Sequence, residues 1–384
     1  MRISCVRTYR LSCNISEPLN FSQWGYSTRH SLLVRLTADN GLDGWGECYG
    51  PVAVTQAAIS SFYAPLVIGL DPRQTDVIWH RLWRSSLDFA RRGVMMGAMS
   101  GIDMALWDLK GKAFGIPVSE LLGGRFRDEV ACYATGMYFR ERPEGEMIEE
   151  TIKEAAGYRE RGFTALKIKI GKNPGFDATL VREMREAFPD CLLMADSNHA
   201  YDLPEAVSLG KVLEEAGFAW FEEPLSPDYP ELYRQLHDAV RVPLAAGECE
   251  QTRFGFWALL SPGGIDIAQP DLAYCGGLSE ALRIRGIAST LGVNVVPHVW
   301  GTMLNLAAAT HFLASDFRHP GRAEQSNGML ECDRTPNPLR DHIFSLPMCI
   351  DNGKARVPTE PGLGVEVDLK AMESFCEKAE EIRD

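Results

Sequence analysis

The sequence predicts an α/β protein: a (β/α)8-type barrel carrying an N-terminal α+β capping domain that the C-terminal tail completes. Three observations lead there. From about residue 130 onward, short apolar runs alternate with segments of helical pattern. Polar residues close those runs at a near-constant interval, stepping 27, 26, 26, 23 and 27 residues from Lys169 through Asp196, Glu222, Glu248 and Asp271 to His298. The first 130 residues lack this alternation.

Taken in order, residues 1–129 read as the capping domain. "RHSLLVRLTADNGLDGWGECYG" reads as two strands joined by the turn "DNGLDG". "GAMSGIDMALWDLKGKAFG" reads as a helix with Ile102, Ala105, Leu106 and Leu109 on one face. Residues 130–345 hold the eight barrel runs: "EVACYATG", "FTALKIKIG", "CLLMADSN", "FAWFEEP", "VPLAAGE", "IDIAQPD", "VNVVPHVW" and "NGMLECD". Between them lie stretches such as "LPEAVSLGKVLEEAG", apolar at helix spacing and closed by Gly. Residues 346–384 offer a strand and a short helix beyond the barrel count, and are expected to return to the capping domain. No linker rich in Pro, Ser or Gly separates the units, which predicts a tight interface.

Composition excludes several classes. Hydrophobic residues at 45% and charged residues at 24% suit a soluble globular chain, and no apolar run is long enough to span a bilayer. A net charge of −13 argues against a nucleic-acid or anionic-membrane partner. The opening "MRISCVRTYRLSCNISEP" has no long apolar stretch and does not read as a secretory signal. Ten cysteines without a CxxC pair suit reduced thiols and a cytoplasmic location.

The chemistry concentrates where the polar beat falls. One βα unit per step gathers these side chains at the C-terminal rim of the strands, where barrels place active sites. Asp196, Glu222 and Glu248 on consecutive strand ends would repel one another without a cation, and all-oxygen ligation suits Mg²⁺ or Mn²⁺. The plainer alternative, in which each acid caps the following helix, fits any one of them but not three at matched spacing. In "ALKIKIG", Lys167 and Lys169 share the face opposite Leu166, Ile168 and Ile170. Solubilising lysines on an exposed face would be the bland reading, but a helix-covered barrel strand has no such face. Mutual repulsion and burial suggest that one lysine has a lowered pKa and serves as a base, while the other binds an anionic oxygen. Across the rim, Asp271 is placed to fix the tautomer of His298, a second acid/base. Glu331 is placed to hydrogen-bond a substrate carboxylate, with Glu324 in "RAEQSN" competing for the eighth-strand position. Glu223 should point away from Glu222. Asn198 and His199 sit in the following loop, and Gln23, Tyr26, Thr28, Arg29, His30 and Tyr49 offer polar contacts from the cap. Of these, Asn198, Tyr26, Arg29, His30 and Tyr49 are the expected substrate contacts.

These motifs together, with "GIDMALWDLKGKAFGIPVSELLGG" and "PGLGVEVD", resemble the enolase superfamily and, within it, the mandelate racemase subgroup over essentially the whole chain. The resemblance implies Mg²⁺-dependent removal of the proton α to a carboxylate, giving an enediolate. It implies that Asp196, Glu222 and Glu248 ligate the ion, that Lys169 is the base with Lys167 its electrostatic partner, and that Asp271 and His298 form a dyad. "PHVW", where the muconate-lactonizing subgroup usually has a second wall lysine, favours the mandelate racemase side. Phrases such as "DIAQPDLAYCGGLSE" and "ECDRTPNPLRD" resemble the lactone-opening cycloisomerases and acid-sugar dehydratases of that subgroup, whereas "GECEQTRFG" departs from them. The expected reaction is β-elimination on a sugar acid or sugar-diacid lactone. The alternatives are dehydration of an acyclic aldonate or aldarate, epimerisation of a 2-hydroxy acid, and non-catalytic binding of a sugar acid. A homo-oligomer is the assembly implied.

Overall fold

The computed structural model describes residues 1–317 and 328–383; Glu324 lies outside them. The chain begins with β1 (Ile3–Asn20), β2 (Gly25–Ala38) and β3 (Asp43–Cys48), an antiparallel meander. The β2–β3 turn falls where the sequence places it, with Gly41 at φ +87°. The long first strand is hard to read from sequence because Arg7, Thr8, Arg10, Ser12, Asn14 and Ser16 interrupt its apolar residues. Cys376–Arg383 pairs antiparallel with Cys5–Leu11 of β1 and completes a four-stranded sheet.

Against this sheet lies the helix Val94–Phe114. It is not the one-faced amphipathic helix expected: Ile102, Ala105, Leu106 and Leu109 are buried, but so are Asp103, Trp107 and Asp108. The physical reason is that the helix is sandwiched. Gly44 and Gly46 of β3 let its backbone approach on one side. On the other, Trp107 Nε1 donates to Ser279 Oγ at 2.9 Å on a barrel helix, Gly277–Leu291.

Eight parallel strands follow: β4 (Glu129–Thr135), β5 (Ala165–Lys169), β6 (Leu192–Asp196), β7 (Phe221–Glu222), β8 (Leu244–Ala246), β9 (Ile267–Ala268), β10 (Asn294–Val295) and β11 (Leu330–Asp333). Each falls within one of the apolar runs. They pair in the order β10-β9-β8-β7-β6-β5-β4-β11, and the Val299 N–H bridges the remaining seam by donating to Glu331 Oε2 at 3.0 Å. Helices join successive strands, several with sequence-encoded caps. Asn173 caps Pro174–Ala187, and Asp202 with Glu205 forms a reciprocal capping box on Leu203–Glu215.

Strand alternation builds the interior. Tyr133, Ala165, Met194, Trp220, Ala245, Ile267 and Val296 form a closed apolar plug, with Tyr133 edge-on to Trp220 at 5.4 Å. Two residues further along the same faces come Thr135, Lys167, Asp196 and Glu222. The charged layer therefore rests on an apolar floor. The tail touches both units: Lys354–Arg356 adds antiparallel to the start of β4 before Cys376–Arg383 reaches β1. Among the described residues no helix is long and apolar enough to cross a membrane, and all ten cysteines are free.

Candidate active site

The two lysines of β5 point into the barrel and meet carboxylates from other strands. Lys167 Nζ lies 2.5 Å from Glu222 Oε1, 2.7 Å from Glu331 Oε1 and 3.8 Å from Asp196 Oδ2. Lys169 Nζ donates to Asp196 Oδ2 at 2.5 Å and to Asn198 Oδ1 at 2.8 Å. This answers why a barrel strand carries two ammonium groups side by side, and it corrects the expected lowered pKa. Burial works against the charged form of both lysines. Glu222, Glu331 and Asp196 nevertheless hold Lys167 well above its ordinary value, and Asp196 raises Lys169 despite repulsion from Lys167. At Lys169 the repulsion from Lys167 is the smaller effect, outweighed by Asp196 in direct contact.

Glu331 is pulled the other way. Burial raises it, but Lys167, His298 and the Thr135 hydroxyl, which donates at 2.7 Å, bring it down to about 2. Glu331 is thus already committed to Lys167, Thr135 and the Val299 N–H. It lines the chamber from within that network.

Asp196, Glu222 and Glu248 offer carboxylate oxygens within 4.8 Å of one another, the first two fully buried. The set fits a hard divalent ion. Asp196 Oδ1 is held by the Asn198 N–H at 3.0 Å, and Trp220 Nε1 orients Glu222 by donating to Oε2 at 2.8 Å. Burial, followed by the charges of Asp196, Glu331 and Glu248, pushes Glu222 up to about 7 against the pull of Lys167. Crowded buried acid of this kind is what a cation stabilises.

His298 stands opposite. Its Nδ1 lies 2.7 Å from Asp271 Oδ2, while Asp271 Oδ1 accepts from the Ala273 N–H at 2.7 Å and Asn305 Nδ2 at 3.0 Å. His298 Nε2 faces Glu248 Oε2 at 3.5 Å. Burial disfavours the imidazolium, yet Glu248 and the Asp271 bond raise it to about 10.

Lys167, Lys169, Glu331, His298 and Glu248 all open on one chamber of about 190 Å³. The cap closes it from residues 20–26: Ser22 Oγ and Gln23 Nε2 both donate to the Asn198 carbonyl, at 2.8 and 3.1 Å. Tyr26, Tyr49, Asn198 and His199 line the same space. Arg29 and His30 do not. Arg29 is buried, paired with Asp333 at 2.9 Å and stacked 4.1 Å from the Trp300 ring centre. His30 is exposed, and with Thr28 it faces an adjoining cavity of about 470 Å³. The lining is also more aromatic than the sequence reading allowed, since Phe21, Trp24, Tyr138 and Trp300 contribute to it. Nothing local distinguishes these rings from core aromatics. Behind the acid triad, Glu223 turns from Glu222 toward His199 and Cys249. The backbone at Asn198, His199 and Glu223 is left-handed, at φ +42°, +66° and +43°.

Comparison with known proteins gives a consistent answer. The mandelate racemase / muconate lactonizing enzyme N-terminal domain model matches residues 5–123, and the enolase C-terminal domain-like model matches residues 150–371. The chain is 41% identical over 376 residues to a D-galactarolactone cycloisomerase of Agrobacterium fabrum, covering 98% of this chain and 99% of that one. It is 33% identical to an arabinonate dehydratase of Saccharolobus solfataricus, with 90% of each covered. Its fold matches the crystal structure of the 3,6-anhydro-D-galactonate cycloisomerase from Zobellia galactanivorans with a TM-score of 0.89 at 38% identity, over 98% of this chain and 100% of that one.

Proposed function

This chain belongs to the mandelate racemase / muconate lactonizing enzyme family of the enolase superfamily and is an enzyme; from that premise we propose that it opens a sugar-diacid lactone by α-proton removal and β-elimination. The observation that carries the reading is the single chamber onto which Lys169 and His298 both open, above the triad Asp196, Glu222 and Glu248. Mg²⁺ or Mn²⁺ held by that triad would, when bound, supply positive charge beside the developing oxyanion and offset the carboxylate field that keeps Lys169 protonated.

The residues divide the work as follows. Lys169 takes the α-proton, and Lys167, pinned among Glu222, Glu331 and Asp196, stays cationic and stabilises the negative charge that spreads onto the substrate carboxylate. The electron pair left at the α-carbon forms the new C=C bond as the β C–O bond breaks, and the ring oxygen departs as a carboxylate. His298, held as an imidazolium by Asp271 and Glu248, is the acid on the opposite wall. It delivers a proton to the carbon that lost the ring oxygen while the enol O–H proton leaves to solvent, so the enol becomes a keto acid. With the released carboxylate counted as its acid, atoms are conserved and the reaction is an isomerisation. With an acyclic aldonate or aldarate, the same imidazolium would protonate a departing hydroxide and the enzyme would be a dehydratase. The 33% identity to an arabinonate dehydratase across 90% of the chain supports keeping that second reading.

The test is incubation with Mg²⁺ in D₂O against a panel of aldonic acids, aldaric acids and their lactones. Turnover of a lactone to a keto diacid, with deuterium entering the product, is expected. Lys169→Ala and His298→Asn should each lose about 10²- to 10⁴-fold in kcat. Absence of both turnover and exchange across the panel would overturn the proposal.

A further inference from the structure

Directly behind the acid triad sits a second cluster that the reaction above leaves unused. His199, Glu223 and Cys249 offer one ligand atom each, all within 4.8 Å of one another. Glu223 Oε2 lies 3.0 Å from His199 Nε2, and Cys249 Sγ lies 3.5 Å from the same nitrogen. Ligand atoms around a tetrahedral zinc ion stand about 3 to 4 Å apart, given bonds of roughly 2.0 to 2.3 Å.

Two further observations favour a cation at this cluster. His199 Nδ1 lies 3.3 Å from the Leu225 carbonyl oxygen, which can only accept, so Nδ1 carries a proton and Nε2 is the nitrogen turned toward Glu223. Glu223 itself is 1% exposed, and neither of its oxygens accepts a hydrogen bond of normal geometry. A buried carboxyl group with no hydrogen-bond partner of normal geometry, set beside an imidazole nitrogen and a thiol, is expensive to leave uncompensated.

We propose that His199, Glu223 and Cys249 form a second cation site, selective for a borderline-soft divalent ion such as Zn²⁺, beside the reaction chamber. The donor set separates it from its neighbour: three carboxylates favour a hard ion, whereas imidazole, carboxylate and thiolate favour zinc or cobalt. Binding releases the thiol proton to solvent, so the −2 charge of thiolate and carboxylate matches the ion. His199 and Cys249 both line the chamber, which leaves the fourth position of a three-ligand site open toward it. The site does not depend on the lactone reaction, because it is defined by ligands that the reaction does not use.

The test uses the full chain held in saturating Mg²⁺ and titrated with Co²⁺, whose thiolate complexes give a near-ultraviolet charge-transfer band. One equivalent per chain should produce the band, and Zn²⁺ should displace it. Cys249→Ser should abolish it, and His199→Gln should weaken binding at least about tenfold. If Cys249→Ser does not fold, alkylating Cys249 in the folded protein replaces it, and bound Zn²⁺ should slow that alkylation. No band, a band that survives loss of Cys249, or cobalt binding only as Mg²⁺ is displaced would each overturn the second site. None of those outcomes bears on the turnover assay, so the two proposals fail separately.

Discussion

Asp271 is placed to act on substrate only through His298, and the geometry says what its loss does. Its Oδ2 accepts from His298 Nδ1, while Oδ1 is fixed by the Ala273 N–H and Asn305. Asp271→Asn would keep its oxygen on those two donors and turn an NH₂ toward His298, forcing the lone pair onto Nδ1. We expect kcat to fall about 10²- to 10⁴-fold, the pH–rate limb carried by the imidazole to move, and the melting temperature to change little. An unchanged pH–rate profile would sink the dyad. Residues of this kind were legible in the sequence because a strand end, a spacing and a charge coincide. Arg29 was not, since its partner Asp333 lies 304 residues away and no local signal separates a paired guanidinium from a free one. The direction of the lysine pKa is hidden from the sequence for a related reason. Two like charges in one strand are visible in the sequence, whereas the nearer carboxylates on three other strands appear only once the barrel closes.

At the scale of elements, the contact between β3 and the helix Val94–Phe114 is set by missing side chains. A Cβ on Gly46 would sit 2.0 Å from the Gly101 carbonyl and 2.8 Å from the Ala105 amide, both backbone atoms that cannot rotate away. Gly46→Ala is therefore expected to destabilise the fold by about 1–3 kcal/mol or more through overpacking. Gly286, inside the barrel helix Gly277–Leu291 with nothing near its missing Cβ, should respond with the opposite sign, gaining roughly 0.5–1 kcal/mol as Ala. Denaturant midpoints for the two variants check both signs in one experiment, and a loss from Gly286→Ala equal to that from Gly46→Ala would contradict the close-approach argument. The sequence showed the helix but not its sandwiching. Periodicity finds an apolar face, and a helix buried on all sides with Asp103 bonded to Ser279 loses that contrast. The eight strands survived such ambiguity because each carries both an apolar run and a polar terminus. β1 and the hairpin at Ile350–Arg356 have neither, and they were missed.

For the whole molecule, the clearest pH response is expected from His311, far from the reaction chamber. It sits on the barrel helix Met303–Ala314, fully buried. Its Nδ1 accepts from the Ser119 N–H at 3.2 Å, at the end of the capping domain, and its Nε2 donates to the Leu363 carbonyl at 3.1 Å, in the tail. One neutral imidazole thus ties all three parts of the chain together, which no spacing in the sequence reveals. Burial, reinforced by Arg125 and opposed by the Leu363 bond, lowers its pKa to about 4 from the ordinary 6.5. Between those values the unfolded chain binds the extra proton, so the stabilisation is complete above about pH 6.5 and is lost as pH falls toward 4. The slope is at most about 1.4 kcal/mol per pH unit for one group. Asp103 works against it: burial lifts its carboxyl to about 7, so its ionisation costs stability as pH rises from 3.8 through that value. The wild-type curve alone would mix the two. The difference between wild type and His311→Gln isolates the imidazole, because Asp103 is common to both. Urea unfolding across pH 4 to 7 should show the wild type losing its advantage over the variant as the solution is acidified. Parallel curves would mean that the ring is not held neutral, and that the clamp between capping domain, barrel and tail does not work as its hydrogen bonds imply.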